Sequence, residues 1–149
     1  MKIVLPDTLV AVSFAPLIRL VAEIDDHGPI RPGRLSATLP DLATHHLRQA
    51  TRRARTLGLV CERPGEGLTL TEAGRDLADL YDQAARWARA SHVPTQHASF
   101  AARVRFALRR TASVSAQDRG DPGLARVSEL VELWLASWGE ESDEPPLAA

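Results

Sequence analysis

Cysteine, lysine and long apolar runs are all but missing from this chain, and each shortage excludes something. The single cysteine, Cys61, cannot close an internal disulfide, so no disulfide framework supports the fold and a reducing, cytoplasmic setting is expected. No apolar run reaches the ~18 uncharged residues that a membrane-spanning helix requires. The apolar stretch from Leu9 to Ile18 superficially resembles a secretory core, but Pro6 and Asp7 precede it and Lys2 is the only basic residue before it. A signal peptide is therefore not expected. Lys2 is also the only lysine: the other basic residues are all Arg, a compositional bias from which no function is read. There is no carboxylate pair, nucleophile elbow or phosphate-binding glycine loop, which leaves catalysis without candidates, and an enzyme is not expected. His45 and His46 adjoin, while His27, His92 and His97 are scattered, so neither a helical i, i+4 pair nor a Cys/His spacing signals zinc. No metal and no cofactor are expected.

What is present suits one folded domain with an appended element: 149 residues, of which 44% are hydrophobic. The net charge of −1 hides strong segmentation. Residues 31 to 75 hold eight Arg against four acids, and residues 86 to 119 hold seven Arg against one Asp. Residues 76 to 85 carry three Asp, and residues 120 to 149 carry one Arg against seven acids. A basic surface facing phosphates and an acidic end facing solvent or a partner follow from this polarity.

The densest information lies between Leu39 and Ala90. Leu42, Leu47, Ala50, Ala54 and Leu57 recur at helical spacing, while Thr44, His45, Arg48, Gln49, Arg52 and Arg55 fall away from that stripe. The spacing predicts a helix over 42–57 that packs on one side and is basic and polar on the other. Gly58 ends it where a positive φ is needed, and Leu59, Val60 and Cys61 begin a strand. Pro64, Gly65 and Gly67 supply a turn, and Leu68, Thr69 and Leu70 return to complete a hairpin. Thr71 can then N-cap a long helix whose apolar set is Ala73, Leu77, Leu80, Tyr81, Ala84, Trp87 and Ala88.

Upstream, a helix is predicted from Ser13 or Phe14 to Asp26 with Pro16 in its first turn, ended by Gly28 and Pro29. A short helix over Arg34 to Leu39 and a Pro40–Asp41 turn follow. Downstream, SHVPTQ reads as a break before a helix over Ser99 to Ala112, flanked by Arg103, Arg105, Arg109 and Arg110. A second break in 115–123 precedes an acidic amphipathic helix from Leu124 to Trp138 with Val127, Leu130, Val131, Trp134 and Trp138 inward. The tail EESDEPPLAA is expected to be disordered.

The LP pair at Leu39 and Pro40, the LGLV at 57–60 after a basic helix, and the LTEAGR at 70–75 opening the next helix occur together and in order. In these the chain, from about Phe14 to Ala90, resembles the winged helix-turn-helix transcriptional regulators of the HxlR type, and more loosely the MarR and PadR groups. It departs from them in lacking the cysteine and GGKW-like motif common around their first helix, and in having Thr51 where Leu is expected.

The resemblance implies an α+β, mainly α fold: a winged helix-turn-helix domain over 1–90 and a C-terminal helical dimerisation or effector region over 91–149. It implies a cytoplasmic homodimeric regulator of double-stranded DNA, a repressor that blocks promoter access at a palindromic operator. The helix over 42–57 would enter the major groove. Thr44, His45, Arg48 and Gln49 would then read base edges, Arg matching guanine and Gln adenine through paired hydrogen bonds. Arg52 and Arg55 would meet phosphates. Arg63 on the wing could reach the minor groove, although Glu62 and Glu66 beside it work against this.

Several readings stay open from sequence alone. Trp87, Trp134 and Trp138 either bury a dimer interface or line an effector pocket for an apolar or aromatic small molecule. The arginines at 103–110 either lengthen the phosphate footprint or pair with the acidic last helix across a dimer. Cys61 reads as a small core residue rather than a reactive thiol. The rival functional class is a winged-helix protein–protein interaction module without specific DNA binding.

Overall fold

A register of buried residues every three or four positions organises the chain into helices stacked around one short hairpin. The computed structural model describes residues 7–91, 99–112 and 120–139. The tail from 140 to 149, most of SHVPTQ and residues 115–119 lie outside the described residues. The described elements are α1 (Asp7–Val12), α2 (Ala15–His27), α3 (Leu35–Thr38), α4 (Thr44–Thr56), β1 (Val60–Arg63), β2 (Gly67–Leu70), α5 (Glu72–Ala90), α6 (Phe100–Ala112) and α7 (Pro122–Trp134), with a π-helical turn over Leu135–Gly139. The architecture is mainly helical α+β, with a two-stranded antiparallel hairpin after α4 and further helices behind it.

Most predicted elements form where expected. Pro16 sits in the first turn of α2, where its missing N–H costs nothing, and Leu17, Ile18, Leu20 and Val21 are fully buried. Gly28 ends this helix at φ +89°, its N–H donating to the Ile24 carbonyl at 2.8 Å. α4 ends at Gly58, φ +71°, with the Leu59 N–H reaching back to Ala54 O at 2.8 Å. Thr71 caps α5 as expected, its hydroxyl oxygen accepting from Gly74 N at 3.2 Å while its proton goes to Gly58 O.

Two glycines owe their place to close approach. A Cβ on Gly74 would lie 2.1 Å from the Leu59 carbonyl oxygen, so only glycine lets the first turn of α5 press on the segment leaving α4. A Cβ on Gly67 would lie 2.2 Å from Ile30 O, and its φ is +101°. Ile30 makes a two-bond bridge to Leu68 there, at 3.0 and 2.8 Å, giving the hairpin a third, one-residue edge. One isolated apolar residue between Pro29 and Arg31 carries no strand period, so this bridge had no sequence signal.

Three corrections belong to the helices. α1 was not expected: six residues are too few for a period, and the turn is held from outside, by buried Leu9 and Val12 and by the Tyr81 hydroxyl donating to Val12 O at 2.6 Å. α3 is only four residues long, shorter than the predicted 34–39. The last helix begins two residues before Leu124 because Asp121 caps it, accepting from Gly123 and Leu124 N–H at 3.0 and 3.1 Å with Pro122 in the first turn, and it gives way to the π turn after Trp134.

α5 is the spine. α2, α6 and α7 all pack on it, and α2 in turn seats α4 and touches β2. Asp121 at the start of α7 meets Trp87 near the end of α5, while Trp134 near the end of α7 meets Ala73 near its start, so the two helices run antiparallel. Among the described residues no helix is long and apolar enough to cross a membrane.

Candidate nucleic-acid interface

α4 contains no acidic residue, and its two faces divide by burial. Leu47, Ala50, Thr51 and Ala54 are buried toward α2 and the hairpin base. Thr51, where the resemblance would put Leu, satisfies its hydroxyl within the helix by donating to Leu47 O at 2.8 Å. The opposite face exposes Thr44, His45, Arg48, Gln49, Arg52 and Arg55, all six of the α4 residues expected there. Among the described residues neither Arg48 nor Arg52 has a side-chain hydrogen bond or ion pair, so both guanidinium groups are uncommitted. A shallow hollow of about 620 Å³ runs between this face and residues 33–36, with Ser36 and Gly33 on one side and Thr44, Arg48 and Arg52 on the other.

The other two arginines of α4 are engaged. The Arg53 guanidinium lies 4.3 Å from the Phe14 ring centroid and points an N–H at Ala11 O, 3.5 Å away, so it ties α4 to the α1–α2 junction. Arg55 pairs with Glu62 of β1 at 2.5 Å, both side chains more than half exposed. An exposed pair of this kind is worth about 0–1 kcal/mol, so a phosphate could replace the carboxylate at little cost. The same pair occupies Glu62, one of the two acids expected to oppose Arg63. Arg63 is exposed at the tip end of β1, opposite Gly67. His45 and His46 stand with ring centroids 4.0 Å apart, and His46 meets Phe14 edge-on.

A polar network that sequence reasoning missed sets the turn into α4. Arg19 of α2 donates to Asp41 in that turn (Nε–Oδ2 3.1 Å) and to Glu23 (Nη1–Oε1 2.9 Å), and His27 Nδ1 approaches the other Glu23 oxygen at 2.5 Å. Glu23 is nearly buried, and Leu39 beside the turn is fully buried. The i, i+4 spacing of Arg19, Glu23 and His27 was visible in the chain; the link to Asp41 needs the fold.

The three tryptophans do not form one cluster. Trp87 stacks on Phe106 of α6 (centroids 5.8 Å, planes 10° apart) and donates to Asp121 Oδ2 at 3.0 Å. That hydrogen bond and two from backbone N–H groups hold the Asp121 carboxyl below its usual range: the Leu124 N–H contributes most, then Trp87, and Arg110 adds attraction. Trp134 is buried at the other end of α5, donating to Ala73 O at 3.1 Å, and Trp138 is half-buried beside it, donating to Asp76 Oδ2 at 3.2 Å. On α6, Arg105 is half-buried with its Nε hidden and unpartnered, and Arg109 is exposed. Cys61 is half-buried on β1 opposite Thr69, a free thiol. Among the described residues no group of His, Cys, Asp and Glu side chains is arranged to hold a metal ion. Compared with known proteins, the chain matches no family model, no curated protein and no solved structure.

Proposed function

We propose that this protein is a winged helix-turn-helix regulator that binds double-stranded DNA sequence-specifically, with α4 in the major groove and the β1–β2 hairpin as the wing. The observation that carries this reading is the acid-free face of α4, where Thr44, His45, Arg48 and Gln49 stand exposed on a helix whose other side is locked into the core. A rigid helix with uncommitted Arg and Gln side chains suits base-edge readout, because each paired contact discriminates only if its donor is held in place. Arg52 and Arg55 lie further along the same face and suit phosphates, and Arg63 extends from the wing toward the adjacent minor groove. Two copies related by a twofold axis would present two such helices to half-sites about 10 bp apart or a multiple of that, and the exposed Val10 and Leu133 give apolar surface for such an assembly.

The experiment is a duplex-binding titration against DNA from upstream of the protein's own gene and against random DNA, at two salt concentrations. A regulator loses affinity steeply as salt rises, by close to one logarithmic unit per logarithmic unit of salt for each phosphate contact. Arg52→Ala should lower that slope by about one and weaken both duplexes alike. Duplex binding that is absent, or that is insensitive to salt, sinks the reading in favour of a protein-interaction module.

A further inference from the structure

The groove between α5 and α7 has two unlike walls. α5 supplies Asp76, Asp79 and Asp82, three residues apart and so aligned along one side of the helix. α7 and the π turn supply Leu130, Trp134 and Trp138. The groove is half-open to solvent and its space of about 510 Å³ is within the range of small-molecule sites.

The acidic wall carries more negative charge than the protein compensates. Among the described residues no basic side chain forms an ion pair with Asp76, Asp79 or Asp82. Asp25 and Asp26, at the end of α2, are near enough to add to this charge. Partial burial raises the Asp82 carboxyl above its usual range, and Asp25, Asp26 and Asp79 raise it further against the pull of Arg86. Asp25 is raised in the same way, by burial first and then by Asp26 and Asp79. Arg126, the other cation on the rim, leans to Glu129 at 3.5 Å. On the aromatic wall the buried Trp134 is bonded to Ala73 O, and the half-buried Trp138 to the exposed Asp76 carboxylate. Carboxylates facing indole rings attract a positive charge that travels with an apolar body, because both walls then gain and neither is left unpaired.

We propose that this groove binds a small organic cation with an aromatic or apolar body, its charge at Asp76 and Asp79 and its body against Leu130, Trp134 and Trp138. The site also has a route to α4. Trp138 borders a second small hollow with Leu57, Gly58 and Thr71, at the joint between the end of α4, the hairpin and α5. A cation at Asp76 competes for the carboxylate that holds the Trp138 N–H and therefore acts on the joint that aims α4, a consequence that rests on the DNA-binding reading, whereas the binding site itself does not.

The test uses the full chain without DNA, titrated with tetraphenylphosphonium and, separately, with tetraphenylborate, an anion of the same shape, followed by tryptophan emission and calorimetry. Saturable binding of the cation is expected, with the anion at least about tenfold weaker. Asp79→Asn should weaken the cation by about fivefold while raising Tm, since it removes one of several like charges; the higher Tm separates lost binding from lost folding. Trp138→Leu should weaken it about two- to fivefold, the loss of one cation–π face. Equal affinity for the two ions, an unchanged cation affinity in Asp79→Asn, or no binding at all because a second copy fills the groove, each overturns the site. With duplex present, tetraphenylphosphonium should shift DNA affinity in the wild type and not in Trp138→Leu. A chain that binds the cation but no duplex keeps the site and defeats the DNA reading.

Discussion

Two helices of this protein, α4 and α6, each carry four arginines and no acid, yet the fold uses them differently. α4 rests on α2 by one stripe and leaves a whole face outside, so Arg48 and Arg52 are uncommitted while Arg53 and Arg55 bind within the chain. α6 is packed by α5, α2 and α7, which half-buries Arg103 and Arg105 and brings Arg110 into the field of Asp121. Arginine content is thus a poor guide to a nucleic-acid surface; how many neighbours a helix has decides what its arginines can reach. The basic charge of 86–119, read from sequence as either footprint or dimer contact, is in part absorbed inside one chain.

The most severe way to break this contrast is to unseat α4 itself. Gly74→Ala forces a methyl group onto the Leu59 carbonyl and should cost about 3 kcal/mol or more, read as a loss in urea midpoint, with DNA binding lost alongside. Next, Arg48→Ala or Gln49→Ala should cost about 1–3 kcal/mol of operator binding with little effect on random DNA, while Arg109→Ala on α6 should leave operator discrimination unchanged. Equal losses on both DNAs for the α4 variants would remove the distinction between the helices. Arg53→Ala should destabilise the fold by about 1 kcal/mol by removing the Phe14 contact, and a thermal melt that does not move would show that Arg53 is as uncommitted as Arg48. Smallest of all, Arg105→Leu should leave stability unchanged or raise it by up to about 1 kcal/mol, because a hidden N–H without a partner is replaced by apolar atoms.

Much of the arrangement was legible in the chain because it is local. The stripe of Leu47, Ala50 and Ala54, the positive-φ stop at Gly58, the glycine turn at 64–67 and the Thr71 cap each depend on a few neighbouring residues, and each forms where its spacing puts it. The exposed set on α4 follows from the same period, since residues off a buried stripe must face outward. The separation of Trp87 from Trp134 and Trp138 is not local, and the chain carries no sign of it. Trp134 and Trp138 lie 47 and 51 residues beyond Trp87, and an antiparallel packing puts them at the other end of α5; no local period encodes that.

The sequence by itself determined the longer helices, where the hairpin turns, and which side of α4 faces outward, because backbone hydrogen bonding and side-chain period act over a few residues; the six-residue α1, held by Tyr81, is not among them. Only the tertiary structure decided which charges are spent and which remain available. Arg53 on Phe14, Arg19 on Asp41, the Ile30 bridge at Gly67 and the acidic groove beside Trp138 all join residues far apart in the chain, and Arg55 on Glu62 joins a helix to the strand after it. The Coulomb and hydrogen-bond terms that set their roles fall off within a few ångströms, so they depend on where packing places the partners.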